Sequence, residues 1–213
     1  MKLAFYAPMK PPGHPVPSGD RRMARLLMEA LRLAGHDPEL ACRFVSRDSR
    51  GDAARQARMI ALGGGLAHSL LRRYRVRPPE ARPSAWFTYH LYYKAPDLIG
   101  PEVARGLGIP YIAAEVSLAG KRASGPWDLY HQALLGALEQ ASALVTINPA
   151  DAPALPGGVK QISLPPFLER VPESAPGARE EARKTLARQM DLPYVHVSGN
   201  LPVVFPAARR LYG

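Results

Sequence analysis

Apolar positions along the chain fall into two alternating rhythms. Lys2 to Tyr6 is a short apolar-rich segment that reads as a first strand, and the Pro- and Gly-rich run Ala7 to Pro17 behind it can continue neither strand nor helix. A loop must follow. Ser18 then precedes Met23, Leu26, Leu27, Ala30, Leu31 and Ala34, spaced i, i+3, i+4, i+7, i+8 and i+11, until Gly35 stops the pattern. That spacing predicts a helix with a start and a stop signal. Leu40, Cys42 and Phe44 alternate with polar or small neighbours and predict a second strand, so the chain opens on a βαβ unit.

The unit recurs. Residues 52–75 predict helix, but Gly63, Gly64 and Gly65 lie in its middle, which implies two helices or one kinked at a glycine hinge. A Pro-rich link, Pro78 to Pro83, leads to a third strand at Ala85 to Tyr89. A short helix over Pro101 to Leu107 stops at Gly108, and a fourth strand follows at Tyr111 to Glu115. Pro126 suits the first turn of a helix with the apolar stripe Trp127, Tyr130, Leu134, Ala137, Leu138 and Ala141. Strands at Ala143 to Ile147 and, more weakly, Lys160 to Leu164 complete the series. Alternation of this kind predicts an α/β fold, a Rossmann-like doubly wound parallel sheet over residues 1–168. Residues 169–190 read as a linker and a charged helix, and 191–213 as an irregular tail too short to form its own core.

Open parallel sheets bind ligands beyond the carboxyl ends of their strands, where loops and helix N-termini converge. The rule selects the loop Pro12 to Asp20, then His90, Glu115 with the following Lys121 and Arg122, and Asn148. Gly13, Ser18, Gly19 and Asp20 precede or open the first helix, whose N–H groups attract anions. The loop matches neither glycine-rich phosphate fingerprint, and Ser18 serves equally as a plain N-cap. His90 lies in Tyr89-His90-Leu91-Tyr92-Tyr93-Lys94, where it is either a base beside sugar-stacking tyrosines such as Tyr89 or a packed histidine. Glu115 is either a site carboxylate or an ion-pair partner of Lys121 or Arg122. The remaining histidines lack metal-ligand spacing, and Ser117, Ser124 and Ser163 lack the context of a nucleophile elbow. Neither a metal nor another cofactor is expected.

Charge adds one question. The chain carries 28 basic and 18 acidic residues, a formal +10, and residues 1–82 hold 16 of the former against 7 of the latter. Composition bias toward arginine is the first explanation, and a membrane-facing patch the next, in which Arg55, Arg58, Arg72, Arg73 and Arg75 with the interleaved Leu66, Leu70 and Leu71 meet an anionic bilayer. Nucleic acid is disfavoured, since no reader motif is present and the aromatics lie away from the arginines. A single cysteine, Cys42, excludes an internal disulfide. Met1 to Pro8 is too short for a secretory signal, and no stretch reaches the roughly 18 apolar residues of a membrane span. The expected location is cytoplasmic, with peripheral contact at the inner face of the membrane.

Several segments together resemble the N-terminal half of family 4 glycosyltransferases of the GT-B type. They are Met1 to Pro8, Pro11-Pro12-Gly13, Ser18-Gly19-Asp20, Leu33-Ala34-Gly35-His36, Gly108-Ile109-Pro110 leading to Glu115, Ala141 to Asn148, and Leu164-Pro165-Pro166-Phe167-Leu168. The likeness runs over residues 1–190. It implies a retaining, nucleotide-sugar-dependent enzyme whose first domain binds a glycan or lipid-linked acceptor, with the Gly19 loop near the donor diphosphate and His90 and Glu115 near the reacting carbon. Glu173 and Glu181 have the family's Glu-x7-Glu spacing but straddle a Pro-Gly linker, so the match reads as chance. The expectation is a truncated enzyme, inactive alone for want of the donor domain. The alternative is a non-catalytic binding module that meets a membrane or a partner chain; a nicotinamide-dependent dehydrogenase is disfavoured by the missing glycine fingerprint.

Overall fold

A computed structural model describes residues 1–118, 124–167 and 177–189. The elements in order are β1 (Lys2–Tyr6), α1 (Gly19–Leu33), β2 (Asp37–Leu40), α2 (Ala53–Arg75), β3 (Ala85–Tyr92), α3 (Gly100–Leu107), β4 (Tyr111–Ser117), α4 (Asp128–Glu139), β5 (Ala143–Thr146), β6 (Lys160–Ser163) and α5 (Ala178–Gln189). The chain divides into two compact units, residues 1–168 and 169–213, and α5 belongs to the second. Lys121, Arg122, Glu173 and the tail 191–213 lie outside the described residues.

The six strands form one sheet in the order β2-β1-β3-β4-β5-β6, every neighbouring pair parallel. Successive side chains of a strand face opposite sides, and each side has its own apolar cluster. Phe5, Phe87, Ala114 and Val145 pack with Ala24, Leu27 and Met28 of α1. Ala4, Tyr6, Trp86, Tyr111 and Leu144 pack with Ala67, Leu70 and Tyr74 of α2, Val103 of α3, and Leu134 and Leu138 of α4. Helices therefore cover both faces, and the fold is Rossmann-like and doubly wound. The strand order reverses between β1 and β3, because α1 leads to β2 on one side while β3 pairs on the other. A crevice opens at the carboxyl end of such a switch point.

Three expectations need correction. The second strand ends at Leu40 rather than continuing through Phe44. Ala41 N–H still donates to Phe5 O at 2.8 Å, but β1 then runs into Pro8, Pro11 and Pro12, which supply no N–H for a ladder, and the chain leaves the sheet. The glycine triplet does not divide the segment into two helices: α2 is one continuous helix of 23 residues. A Cβ at Gly63 would stand 2.5 Å from Leu98 Cβ and 2.8 Å from Leu98 O, so glycine here lets the helix approach the chain before α3. Finally, Leu70 and Leu71 are buried in the core and do not face outward between the arginines.

Beneath the carboxyl edge lies a buried carboxylate. Asp97 Oδ1 accepts from the N–H groups of Ile99 (2.9 Å) and Gly100 (2.7 Å), at the start of α3. Its Oδ2 accepts from Thr88 Oγ1 (2.5 Å), Trp86 Nε1 (3.2 Å) and the Tyr111 hydroxyl (3.2 Å). Burial pushes this carboxyl above its usual range, and the N–H of Gly100, the Thr88 hydroxyl, the N–H of Ile99 and the Trp86 N–H pull the other way. Gly100 has no room for a side chain: a Cβ would lie 2.2 Å from both Asp97 Oδ2 and Trp86 Nε1. Asp97→Ala leaves these buried donors without their acceptor and is expected to destabilise unit 1 by about 3 kcal/mol or more. Gly100→Ala is expected to act in the same direction through overpacking, by about 1–3 kcal/mol. Urea unfolding of both variants checks this, and unchanged midpoints would refute the assignment.

Candidate functional site

The loop after β1 is shaped by arginines of α1. Arg21 Nη1 donates to the carbonyls of His14 (2.9 Å) and Pro15 (3.2 Å), and Arg25 Nε to that of Pro12 (2.7 Å). Prolines in this loop leave carbonyls without ladder partners, and guanidinium groups reach them. Ser18 caps α1, its Oγ accepting from Arg21 N–H at 3.2 Å. Asp20 in the first turn adds a carboxylate to the positive end of the helix. Gly13 is exposed at the loop surface and does not line the cleft described below.

His90 and Glu115 share an unusual conformation. In the register of β3 against β4, Tyr89 lies opposite Ala114 and Leu91 opposite Val116, so His90 and Glu115 are level. Both have left-handed backbones, with φ of 63° and 52°. Such a conformation in a non-glycine residue costs about 1–3 kcal/mol. It also breaks the alternation of faces at one level in two strands. Phe87 and Tyr89 belong to the α1 cluster, yet Leu91 belongs to the opposite one; Ala114 belongs to the α1 cluster, and Val116 to the opposite one. Strict alternation would send His90 and Glu115 toward the apolar core under α2, α3 and α4. The left-handed residues turn them toward α1 instead.

There the side chains meet partners. His90 Nδ1 lies 3.0 Å from Asp20 Oδ1, and since a carboxylate only accepts, the pair places a proton on Nδ1; in the neutral ring this tautomer presents Nε2 as an acceptor. Burial raises the pKa of the Tyr89 hydroxyl, and the Glu115 carboxylate beside it adds to the effect, so Tyr89 stays protonated. A cleft of about 530 Å³ is lined by Gly19, Asp20 and Met23 from α1, Tyr89, Glu115, and Ile147, Asn148, Pro149 and Pro166 from beyond the ends of β5 and β6. Asn148 is oriented by its own turn, its Oδ1 accepting from Ala150 N–H at 3.1 Å. Thus Gly19, Asp20, Tyr89, Glu115 and Asn148 come together in one cleft, with His90 joined through Asp20. Ser18 stands beside it as a cap.

Sequence reasoning passed over Met23, Ile147, Pro149 and Pro166 as cleft residues. Met23 and Ile147 read as core by period, and nothing in spacing alone distinguishes a core apolar residue from a cleft wall. Tyr92, Tyr93 and Trp127 continue from His90 as a chain of rings with centroids 5.4, 5.5 and 5.6 Å apart, and Lys94 Nζ stands 5.1 Å from the Trp127 ring. Such contacts fix the segment after β3 against the start of α4.

No protein-family model matches the chain, and no curated protein sequence matches it. Among solved structures, the chain is similar to Arabidopsis thaliana UGT89C1 complexed with UDP, at a TM-score of 0.46 and 15% identity over 85% of this chain and 56% of that one. It is also similar to the same protein complexed with UDP-L-rhamnose, at a TM-score of 0.46 and 14% identity over 88% of this chain and 62% of that one. The chain therefore spans less than two thirds of the length of either neighbour.

The left-handed backbone at His90 separates two variants of similar side-chain loss. His90→Gly relieves the backbone cost and His90→Ala retains it, so the glycine variant is expected to be the more stable by about 1 kcal/mol. Thermal or urea unfolding of the pair measures the difference. An alanine variant as stable as the glycine one would contradict the strain.

Proposed function

We propose that residues 1–168 form the acceptor-side domain of a nucleotide-sugar-dependent glycosyltransferase. The observation that carries the reading is the pairing of two strained residues, His90 and Glu115, level in adjacent strands, with Glu115 lining the cleft at the switch point and His90 joined to it through Asp20. Backbone strain of this kind persists where the surrounding structure holds side chains for a task. A free imidazole nitrogen suits a hydroxyl acceptor, and a carboxylate suits the positive charge that grows on the sugar in an oxocarbenium-like transition state.

In this reading the acceptor, a glycan or lipid-linked saccharide, lies along Tyr89, Asn148 and Glu115. A bond forms between its hydroxyl oxygen and the anomeric carbon as the bond to the diphosphate breaks. In the retaining reaction that the family 4 resemblance implies, the departing phosphate oxygen takes the acceptor proton and the new bond forms on the face the leaving group quits. His90 then positions the hydroxyl. The His90–Asp20 pair supports a second course, in which Nε2 takes the proton, the acceptor attacks the opposite face, and configuration inverts.

Electrostatics support an acceptor placement in the cleft. Asp20 and Glu115 are the charged groups among the described lining residues, and both repel a diphosphate. The Gly19 end is thus better suited to a hydroxyl-rich acceptor than to the donor's phosphates, which fall to a facing donor-binding domain. That facing domain supplies positioning worth about 7–11 kcal/mol in favourable cases, so residues 1–168 are expected to need it for transfer.

The test is a panel of glycan acceptors observed by saturation-transfer NMR, with nucleotide-sugar turnover measured in parallel. Acceptor binding is expected, weakened about tenfold by Glu115→Gln, as for loss of one charge-assisted hydrogen bond. Turnover by this chain alone is expected near background. Transfer at rates of a two-domain enzyme would refute the half-site reading, and absence of any saccharide binding would refute the acceptor site. The anomeric configuration of product formed with a donor domain present separates the two courses: retention for the first, inversion for the second.

A further inference from the structure

We propose that the outer face of α2, with the groove beside it, is a docking surface for an anionic phospholipid bilayer. This inference is independent of the glycosyltransferase reading and concerns the opposite face of the sheet from α1.

The inner face of α2 is fixed to the core through Ala67, Leu70, Leu71 and Tyr74. Its outer stripe runs Arg55, Arg58, Leu62, Gly65, Ser69 and Arg72, in steps of three and four, and all six are exposed. From Arg55 to Arg72 the stripe is about 25 Å long at 1.5 Å per residue. Leu62 and Val76 are 57% and 84% exposed. No Asp or Glu occurs between Ala53 and Arg77, while Arg55, Arg58, Arg72, Arg73, Arg75 and Arg77 do. Of the carboxylates on neighbouring elements, Glu39 pairs with Arg77 at 2.8 Å and Glu102 faces His68 at 3.5 Å, while Glu80 is exposed in the turn after Arg77. Asp52 caps the helix through Arg55 N–H. The face is therefore positive at both ends, at Arg55 and Arg58 and again from Arg72 onward, with an uncharged stretch carrying Leu62 between them.

A groove of about 490 Å³ runs between α2 and the chain after β2. Leu40, Ala41, Cys42, Leu66 and Leu70 give it apolar walls, and Arg43, Ser69 and Arg73 supply polar groups. Arg73 donates to Ala41 O at 3.3 Å, which places its guanidinium at the β2 side of the groove. Guanidinium groups pair with phosphate in two-pronged fashion, and adjacent leucines suit the upper part of an acyl chain. Charge complementarity thus selects an anionic lipid headgroup as the occupant. Nucleic acid shares the phosphate but makes no use of Leu62, Val76 and the groove, and the stripe offers no aromatic ring on which a base could stack.

The experiment is flotation of the full chain with vesicles of phosphatidylcholine alone and of phosphatidylcholine mixed with phosphatidylglycerol, at low and high salt. Binding is expected to the anionic vesicles only, and to weaken with salt. A triple variant, Arg55→Gln with Arg58→Gln and Arg72→Gln, removes exposed charges without touching the core. It should keep its circular dichroism spectrum and lose about 100-fold in partitioning, since each basic group at an anionic surface contributes about a factor of five. Leu66→Ser is expected to weaken binding without altering its salt dependence. Equal recovery with neutral vesicles, no flotation with anionic ones, or a triple variant that floats like the parent would overturn the proposal. So would tight binding of a duplex oligonucleotide, measured by anisotropy, that anionic vesicles fail to displace.

Discussion

The Asp97 carboxyl gathers hydrogen bonds from β3, β4 and the first turn of α3 at one buried point. A charge-bearing group so deep in the protein is tolerated only because its oxygens are met by many donors, and removing the group would strand those donors in turn. The consequence reaches the carboxyl edge. With Trp86, Thr88 and Tyr111 held from below, β3 and β4 stay in register up to Tyr92 and Ser117, which allows the left-handed residues to occur level with one another rather than slip apart. Pro96 O also accepts from the buried Ser46 hydroxyl at 2.7 Å, so the segment carrying Asp97 is tied to the chain after β2 as well. The strain at His90 and Glu115 is sustained by this framework, since a loosely held strand would relax it.

Much of the fold was legible because period and punctuation agree: Ser18 and Gly35 around α1, Gly108 after α3, and the apolar stripe of α4 each match the elements found. Where reading failed, a contact distant in sequence was responsible. The glycines of α2 signal a break by propensity, yet Gly63 answers to Leu98, a partner 35 residues away that no local window contains. Cys42 and Phe44 alternate like a strand, but strand pairing needs a partner with free N–H groups, and the prolines after β1 withhold it.

The site was partly legible for a related reason. The switch-point rule selected, without geometry, the edge where Gly19, Asp20, Tyr89, Glu115 and Asn148 line one cleft, because it depends only on strand order. It could not reveal that His90 and Glu115 lie inside their strands and not after them. The signal was present in the period: counted by twos from Trp86 and Tyr111, both residues fall on the face that builds the larger apolar core. A histidine and a glutamate assigned there by strict alternation conflict with burial cost, and one left-handed residue in each strand resolves the conflict by turning the side chain to the other face.

Charge then separates the two ends of the domain's chemistry. The protein is strongly basic, yet the charged groups described in the cleft are carboxylates, and among the described residues its arginines bond carbonyls more often than acids: Arg21, Arg25, Arg75 and Arg82 each brace a neighbouring segment by reaching backbone oxygens. An arginine used this way keeps its full charge, because a carbonyl does not neutralise it. Structural demand for donors in a proline-rich chain thus accounts for part of the excess and leaves a net positive exterior. On α2, by contrast, Arg55, Arg58 and Arg72 face outward from a helix that carries no carboxylate, so loop closure does not explain them. A positive helix on one face and a carboxylate-lined cleft on the other side of the sheet give the domain a definite electrical orientation. Under the proposed readings, a negatively charged surface would meet the α2 face, and the cleft would be left to ligands that bear hydroxyl groups in place of charge.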